Sequence, residues 1–212
     1  MDFGLKIDGK TQEEKLFKIG QNQNRLLDFV ELAFNYAKWI FTMYSCGYSN
    51  HIYNQPQLFT IFAMKTYLKT SYREIIEILD VSDKITKYLK LNKLLHHTTI
   101  QKFFVRMSDT KLKDLNKLIL FMHPIDCELA AMDGTEHISD YADHYYVKIR
   151  GKCRKSYIKN HIAIDVDTRM ILNYAANRGP KYDTQFAIAS IRQLKPYKSH
   201  YILADRAYDT DS

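Results

Sequence analysis

Apolar residues recur along this chain with two different periods, and the change between them falls near residue 125. Before it, spacings of three and four predict helices; after it, short apolar runs bounded by turn residues predict strands. Residues 1–24 are polar, carry neither period and read as a flexible arm. From Leu26 to Tyr44, Phe29, Leu32, Tyr36, Trp39, Ile40 and Met43 crowd most of a helix surface. Such a helix is buried on several sides or docks a partner. Cys46–Pro56 reads as a loop by its Gly, Asn and Pro content, and Leu58–Lys69 as a second helix. Two capping boxes follow, Ser71–Glu74 ahead of Ile75, Ile76, Ile78 and Leu79, and Thr98–Gln101 ahead of an Ile100, Phe103, Phe104, Met107 stripe. Val81–Leu91 holds a short helix between them. Thr110–Phe121 is a further amphipathic helix with Lys111, Lys113 and Lys117 outward, and His123–Pro124 ends it.

The later pattern gives strands at 129–133, 157–165 and 170–176, a helix at 184–194 and a strand at 200–205. Asp165–Arg169 is a polar turn between two β-rich runs, Gly179–Pro180 breaks the chain before the helix, and Lys195–Pro196 stops it. Asp183 stands where the helix needs an N-cap. Three strands, a crossover helix and a fourth strand make the first half of a layered α/β sheet. The crossover lets the fourth strand return parallel to the first. The expected fold class is therefore α + α/β. Residues 25–123 form a helical, helix-turn-helix-like DNA-binding domain after the arm, and residues 125–212 a partial mixed-sheet domain.

Two strands share one local grammar: Leu129–Thr135 and Tyr201–Tyr208 are apolar runs that end on Asp133 and Asp205. If those strands lie side by side, two carboxylates meet and repel unless a hard divalent cation such as Mg²⁺ sits between them. A single aspartate at a strand end more often caps a turn; the repetition is what makes the pair a candidate metal site.

Charge adds a partner class. The net charge is +7, which suits a polyanion, most commonly nucleic acid, although a merely basic soluble protein carries the same excess. On the helix from Ile100, Gln101, Lys102 and Arg106 offer side chains that reach bases or phosphates; an ordinary bundle with a basic wet face gives the same pattern. Lys148, Arg150, Lys152, Arg154, Lys155 and Lys159 form a basic run around Gly151, either a solvated hairpin or a phosphate-contacting one. Hydrophobic residues at 46% support a real core. Cys46, Cys127 and Cys153 are widely spaced and in no CxxC, as in reduced intracellular proteins. The start MDFGLKIDGK has no signal-peptide core, and Asp28, Glu31 and Lys38 interrupt the most apolar helix, so no membrane partner is expected. No Gly-rich phosphate loop or GxSxG motif is present.

Four pieces in order carry a family resemblance: Met132-Asp133-Gly134-Thr135; the basic hairpin leading into Lys159–Asp165; the turn Asn177–Asp183; and Leu203–Asp209. They resemble the ribonuclease-H-like catalytic domain of DDE transposases from bacterial and archaeal insertion sequences. Ser71–Met107 resembles the helical N-terminal domain such enzymes often carry. The resemblance implies Asp133 and Asp205 as the first two acidic ligands of Mg²⁺ (or Mn²⁺), and double-stranded DNA with terminal inverted repeats as substrate. It further implies a homo-oligomer on DNA, and a cytoplasmic, nucleoid-associated protein. Two departures stand out. The family's third acid, a glutamate on a helix well beyond the second aspartate, has no counterpart before Ser212, and Ala207 stands where the family has glycine. The expectation is thus the N-terminal portion of a transposase, from a truncated, frameshifted or split gene, inactive in cleavage alone. The rival readings are a non-catalytic DNA-binding remnant that inhibits a full-length relative, and a metal-dependent nuclease of the same architecture.

Overall fold

The structure, a computed structural model, describes residues 24–48, 50–138, 157–178 and 184–208. The chain divides into two compact units between Leu118 and Ile119. Seven α-helices and one four-stranded sheet are present among the described residues. None of these helices is long and apolar enough to cross a membrane.

The first unit is built from α1 (Arg25–Ile40), α2 (Gln55–Tyr67), α3 (Glu74–Asp80), α4 (Asp83–Tyr88), α5 (His97–Arg106) and α6 (Asp109–Met122), whose last turn passes the boundary. Asn24 starts α1 by accepting from the Leu26 amide at 2.9 Å. Helix α2 begins inside the stretch whose Gly, Asn and Pro content predicts a loop. Asn54 and Gln57 form a reciprocal capping box there, and Pro56 occupies the first turn, where a missing N–H is harmless. Gln57 then reaches out of α2 to the Leu89 carbonyl at 2.7 Å and ties α2 to the end of α4.

Of the two capping boxes read from the sequence, one forms. The Ser71 amide donates to Glu74 at 2.7 Å and the Glu74 amide to Ser71 Oγ at 3.2 Å. The other does not, because α5 starts two residues earlier, at His97, and Thr98 already lies in its first turn; His96 Nδ1 accepts from the Thr98 amide instead. Val30, Ile61, Met64, Ile75, Leu79, Leu89 and Ile100 are wholly buried in one cluster. Each contributes about 1.5–3 kcal/mol against exposure. In the α5 stripe only Ile100 enters that cluster; Phe104 stays 41% exposed and stacks on Phe62 at 4.4 Å.

The second unit holds β1 (Leu129–Ile138), β2 (Tyr157–Asp165), β3 (Ile171–Arg178), α7 (Thr184–Leu194) and β4 (Tyr201–Ala204), with short 3₁₀ turns at Lys195–Tyr197 and Arg206–Tyr208. The sheet order is β3-β2-β1-β4. Pairing is antiparallel through the first three strands and parallel between β1 and β4, as a helical crossover permits. Alternation sorts β1 and β2: Ala130, Met132 and Ala163 are buried with Leu120, Cys127, Leu172 and Leu194 on one face. Ile162, opposite Asp133, and Ile158 lie on the other and stay partly exposed.

One strand boundary departs from expectation with a consequence for the site. Strand β1 does not end at Asp133 but runs to Ile138, because β2 keeps pairing with it as far as Tyr157. What ends at Asp133 is the pairing on the opposite edge, where β4 stops at Ala204.

Candidate active site

Met132 and Ala204 are the last register partners of the parallel pair, and Asp133 and Asp205 are the next residue on each strand. Neighbouring strands lie about 4.8 Å apart, so two carboxylates leave the sheet at the same level on adjacent chains. Both residues are solvent-exposed. Each carboxylate is held in the same way: Asp133 Oδ1 accepts from the Gly134 amide at 2.7 Å, and Asp205 Oδ1 accepts from the Arg206 amide. The second oxygen of each carries no protein hydrogen bond among the described residues. Two hard oxygen donors with an oriented first oxygen and an open second one fit a hard divalent cation. They do not complete a site by themselves, since no group of three or more acidic, imidazole or thiol side chains converges among the described residues.

The chain after Asp205 is pinned across the sheet. A 3₁₀ turn forms at Arg206–Tyr208, closed by the Tyr208 amide on the Asp205 carbonyl at 3.0 Å. The Tyr208 hydroxyl hydrogen-bonds His161 Nε2. His161 sits on β2 opposite Gly134, is 1% exposed, and stacks on Phe186 of α7 at 5.1 Å. Tyr208 meets the same imidazole edge-on at 5.2 Å. The turn that carries Asp205 is therefore fastened to a strand two places away, over the strand that carries Asp133. Neither His161 nor Phe186 has a role that the sequence pattern assigns. The available signal was a histidine at an inward position of β2, between Lys159 and Ala163.

The other singled-out residues fall elsewhere. Lys159 is the one member of the basic run among the described residues; it is 6% exposed on β2, with its ammonium 3.6 Å from Glu136. Lys148, Arg150, Lys152, Arg154 and Lys155 lie outside the described residues, as does Asp183. Gln101, Lys102 and Arg106 are exposed on α5. Lys102 and Arg106 line an open cavity of about 690 Å³, together with Lys93, His96 and Lys111, and Gln101 does not.

A third carboxylate of the second unit is structural. Asp165 is 1% exposed at the opposite end of β2, paired with Ala130. Its Oδ2 accepts from the Thr168 amide at 2.8 Å and from the Thr168 hydroxyl, closing the β2–β3 turn in which Arg169 takes a left-handed φ of 59°. Burial pushes its carboxyl up, but hydrogen bonds from Thr168, Cys127 and the Asp167 backbone outweigh this and hold it below the usual range. The Cys127 thiol moves the other way, to about 11, through burial and then the adjacent Asp165.

These features agree with a family match. Residues 128–212, which contain the whole sheet, α7 and both aspartates, match the family model described as the transposase DDE domain. No curated protein and no solved structure matches the chain. The match supports a DDE transposase through the domain at residues 128–212.

Proposed function

We propose that this protein is a DNA transposase in which Asp133 and Asp205 are the first two carboxylates of a divalent-metal site for phosphodiester cleavage and strand transfer. The alignment of the two aspartates at the end of the parallel strand pair supports this more than any other observation. The strand order β3-β2-β1-β4, with only the last pair parallel, supports a ribonuclease-H-like reading of the sheet. Asp133 and Asp205 would hold Mg²⁺ (or Mn²⁺) through their open oxygens, while the Gly134 and Arg206 amides orient the carboxylates. When bound, such ions activate a water or 3′-hydroxyl and stabilise the leaving oxygen of an in-line displacement. The Tyr208–His161 contact keeps the Asp205 turn from drifting relative to Asp133. Double-stranded DNA bearing terminal inverted repeats is the substrate, bound by the helical unit through Gln101, Lys102 and Arg106 in a helix-turn-helix manner. The basic run Lys148–Lys155 contacts phosphates near the metal site, two or more copies assemble on the DNA, and the protein works in the cytoplasm.

A second reading has its own observation. Because no third carboxylate joins the pair among the described residues, the chain alone would bind DNA without cutting it, and so inhibit an intact relative. Incubating the purified chain with Mg²⁺ and supercoiled plasmid separates the two. Nicking that disappears in Asp133→Asn and Asp205→Asn establishes the enzyme; DNA binding with no nicking establishes the inhibitor. Absence of binding would defeat both. Neutralising Lys152, Arg154 and Lys155 tests the basic run, because lost phosphate contacts lower the salt dependence of binding by about one unit of slope for each.

A further inference from the structure

In the helical unit, the open cavity of about 690 Å³ lies within the 300–1,000 Å³ or so typical of ligand pockets and has an unusual electrostatic lining. Lys93, Lys102, Arg106 and Lys111 all face it, and no aspartate or glutamate among the described residues does. None of Lys93, Lys102 and Arg106 is ion-paired among the described residues. Lys111 is no loose surface lysine: its ammonium donates to the Ile40 carbonyl at 2.8 Å, which fixes a positive charge in the wall. Four cations around one concavity repel each other, and the arrangement is relieved only by an anion. The same wall presents half-buried aromatic rings, Tyr44 and Phe103. Tyr44 is stacked on His51 at 4.0 Å and Phe103 packs on Phe41 at 5.8 Å, so both rings are held in place.

From this combination we infer that the cavity is a binding site for unpaired nucleotides of a DNA strand, with phosphates on Lys93, Lys102 and Arg106 and bases against Tyr44 and Phe103. Duplex DNA is read by convex elements laid into its grooves. A concave, cationic and aromatic surface instead suits a strand whose bases have left the stack. The choice of DNA as source of the nucleotide rests on the transposase reading; the site itself rests on the cavity. Lys102 and Arg106, on α5 with Gln101, then also serve the strand next to the duplex end.

The test compares two fluorescent DNAs by anisotropy on the full chain: a blunt duplex, and the same duplex with a short single-stranded tail. The tailed DNA should bind about tenfold tighter, since stacking one base on an aromatic side chain is worth about 1–3 kcal/mol. Tyr44→Ala and Lys93→Ala, both at the cavity rim, should each remove most of that preference. Lys84→Ala, exposed on α4 and outside the cavity, should retain it. Equal affinity for tailed and blunt DNA, or an equal loss in Lys84→Ala, overturns the inference, and so does binding to neither. Tail preference without metal-dependent cleavage keeps this site and removes the active transposase; cleavage without tail preference does the reverse.

Discussion

Asp133 and Asp205 stand one residue beyond the last partners, Met132 and Ala204, of the only parallel strand pair among the described residues. Their closeness follows from topology and not from sequence distance: α7 returns the chain so that β4 runs alongside β1. Both carboxylates are bound at Oδ1 by the amide of the following residue, which fixes their direction before any ligand arrives. Without a cation, two such groups at one level repel each other.

Mutual repulsion makes a direct prediction. Asp133→Asn and Asp205→Asn should each weaken Mn²⁺ binding at least about tenfold, as losing even an outer-shell partner costs about that much. Both should leave thermal stability in metal-free buffer unchanged or slightly raised. Titration calorimetry with Mn²⁺ checks the first, and a melt in chelator checks the second. A clear drop in stability for either variant would show that the pair is structural.

Tyr208 gives a second prediction, because its hydroxyl reaches His161 across β1. Tyr208→Phe keeps the ring contact and removes only the bond. The expected cost is about 1 kcal/mol in denaturant unfolding, a typical net value for one hydrogen bond. If the contact positions Asp205, Mn²⁺ affinity should fall as well, whereas a purely structural bond would leave it untouched.

Much of this was legible in the sequence, and the failures have local causes. The strand–strand–strand–helix–strand order and the two aspartates followed from apolar runs and turn residues, which act locally. The end of β1 was misplaced because Gly134, Thr135, Glu136 and His137 lack apolar character; their strand conformation comes from pairing with β2, a non-local partner. The start of α2 was missed because Asn and Pro signal loops and helix starts alike, and the Asn54–Gln57 pair decides between them. Neither the His161–Tyr208 contact nor the acid-free cavity is visible to periodicity. Each joins residues far apart in sequence, and only the folded chain brings them together.

Asp165 supplies a pH prediction with a definite sign. Its carboxyl is held below the ordinary value in the fold, so ionisation stabilises the native state. That contribution is complete above the unfolded value of about 3.9 and is lost as pH falls through the lower folded value. Asp165→Asn should cost about 1.5–3 kcal/mol at neutral pH, the usual worth of hydrogen bonds to a charged group. It should also reduce the loss of stability of the second unit as pH falls below about 4, where this carboxyl takes up its proton. Urea unfolding followed through that range checks both, and an unchanged acid slope in the variant would refute the assignment.

The two described cysteines should differ sharply in reactivity. Cys127 is 1% exposed, and its thiol is pushed up to about 11 by burial, then by its hydrogen bond to Asp165 and the charges of Asp165, Asp167 and Asp126. Only the thiolate is a nucleophile, so at pH 8 about one Cys127 in a thousand carries reactive sulfur, and burial hides it further. Cys46 is exposed. Iodoacetamide on the native protein, read by peptide mass spectrometry, should modify Cys46 and spare Cys127 until denaturant is added. Because Cys127 and Asp165 are both buried at that end of the sheet, Asp165→Asn should loosen it and bring Cys127 labelling forward to lower denaturant concentration. Equal native labelling of the two cysteines would mean that the buried end of the sheet, from Cys127 to the Asp165 turn, opens in solution.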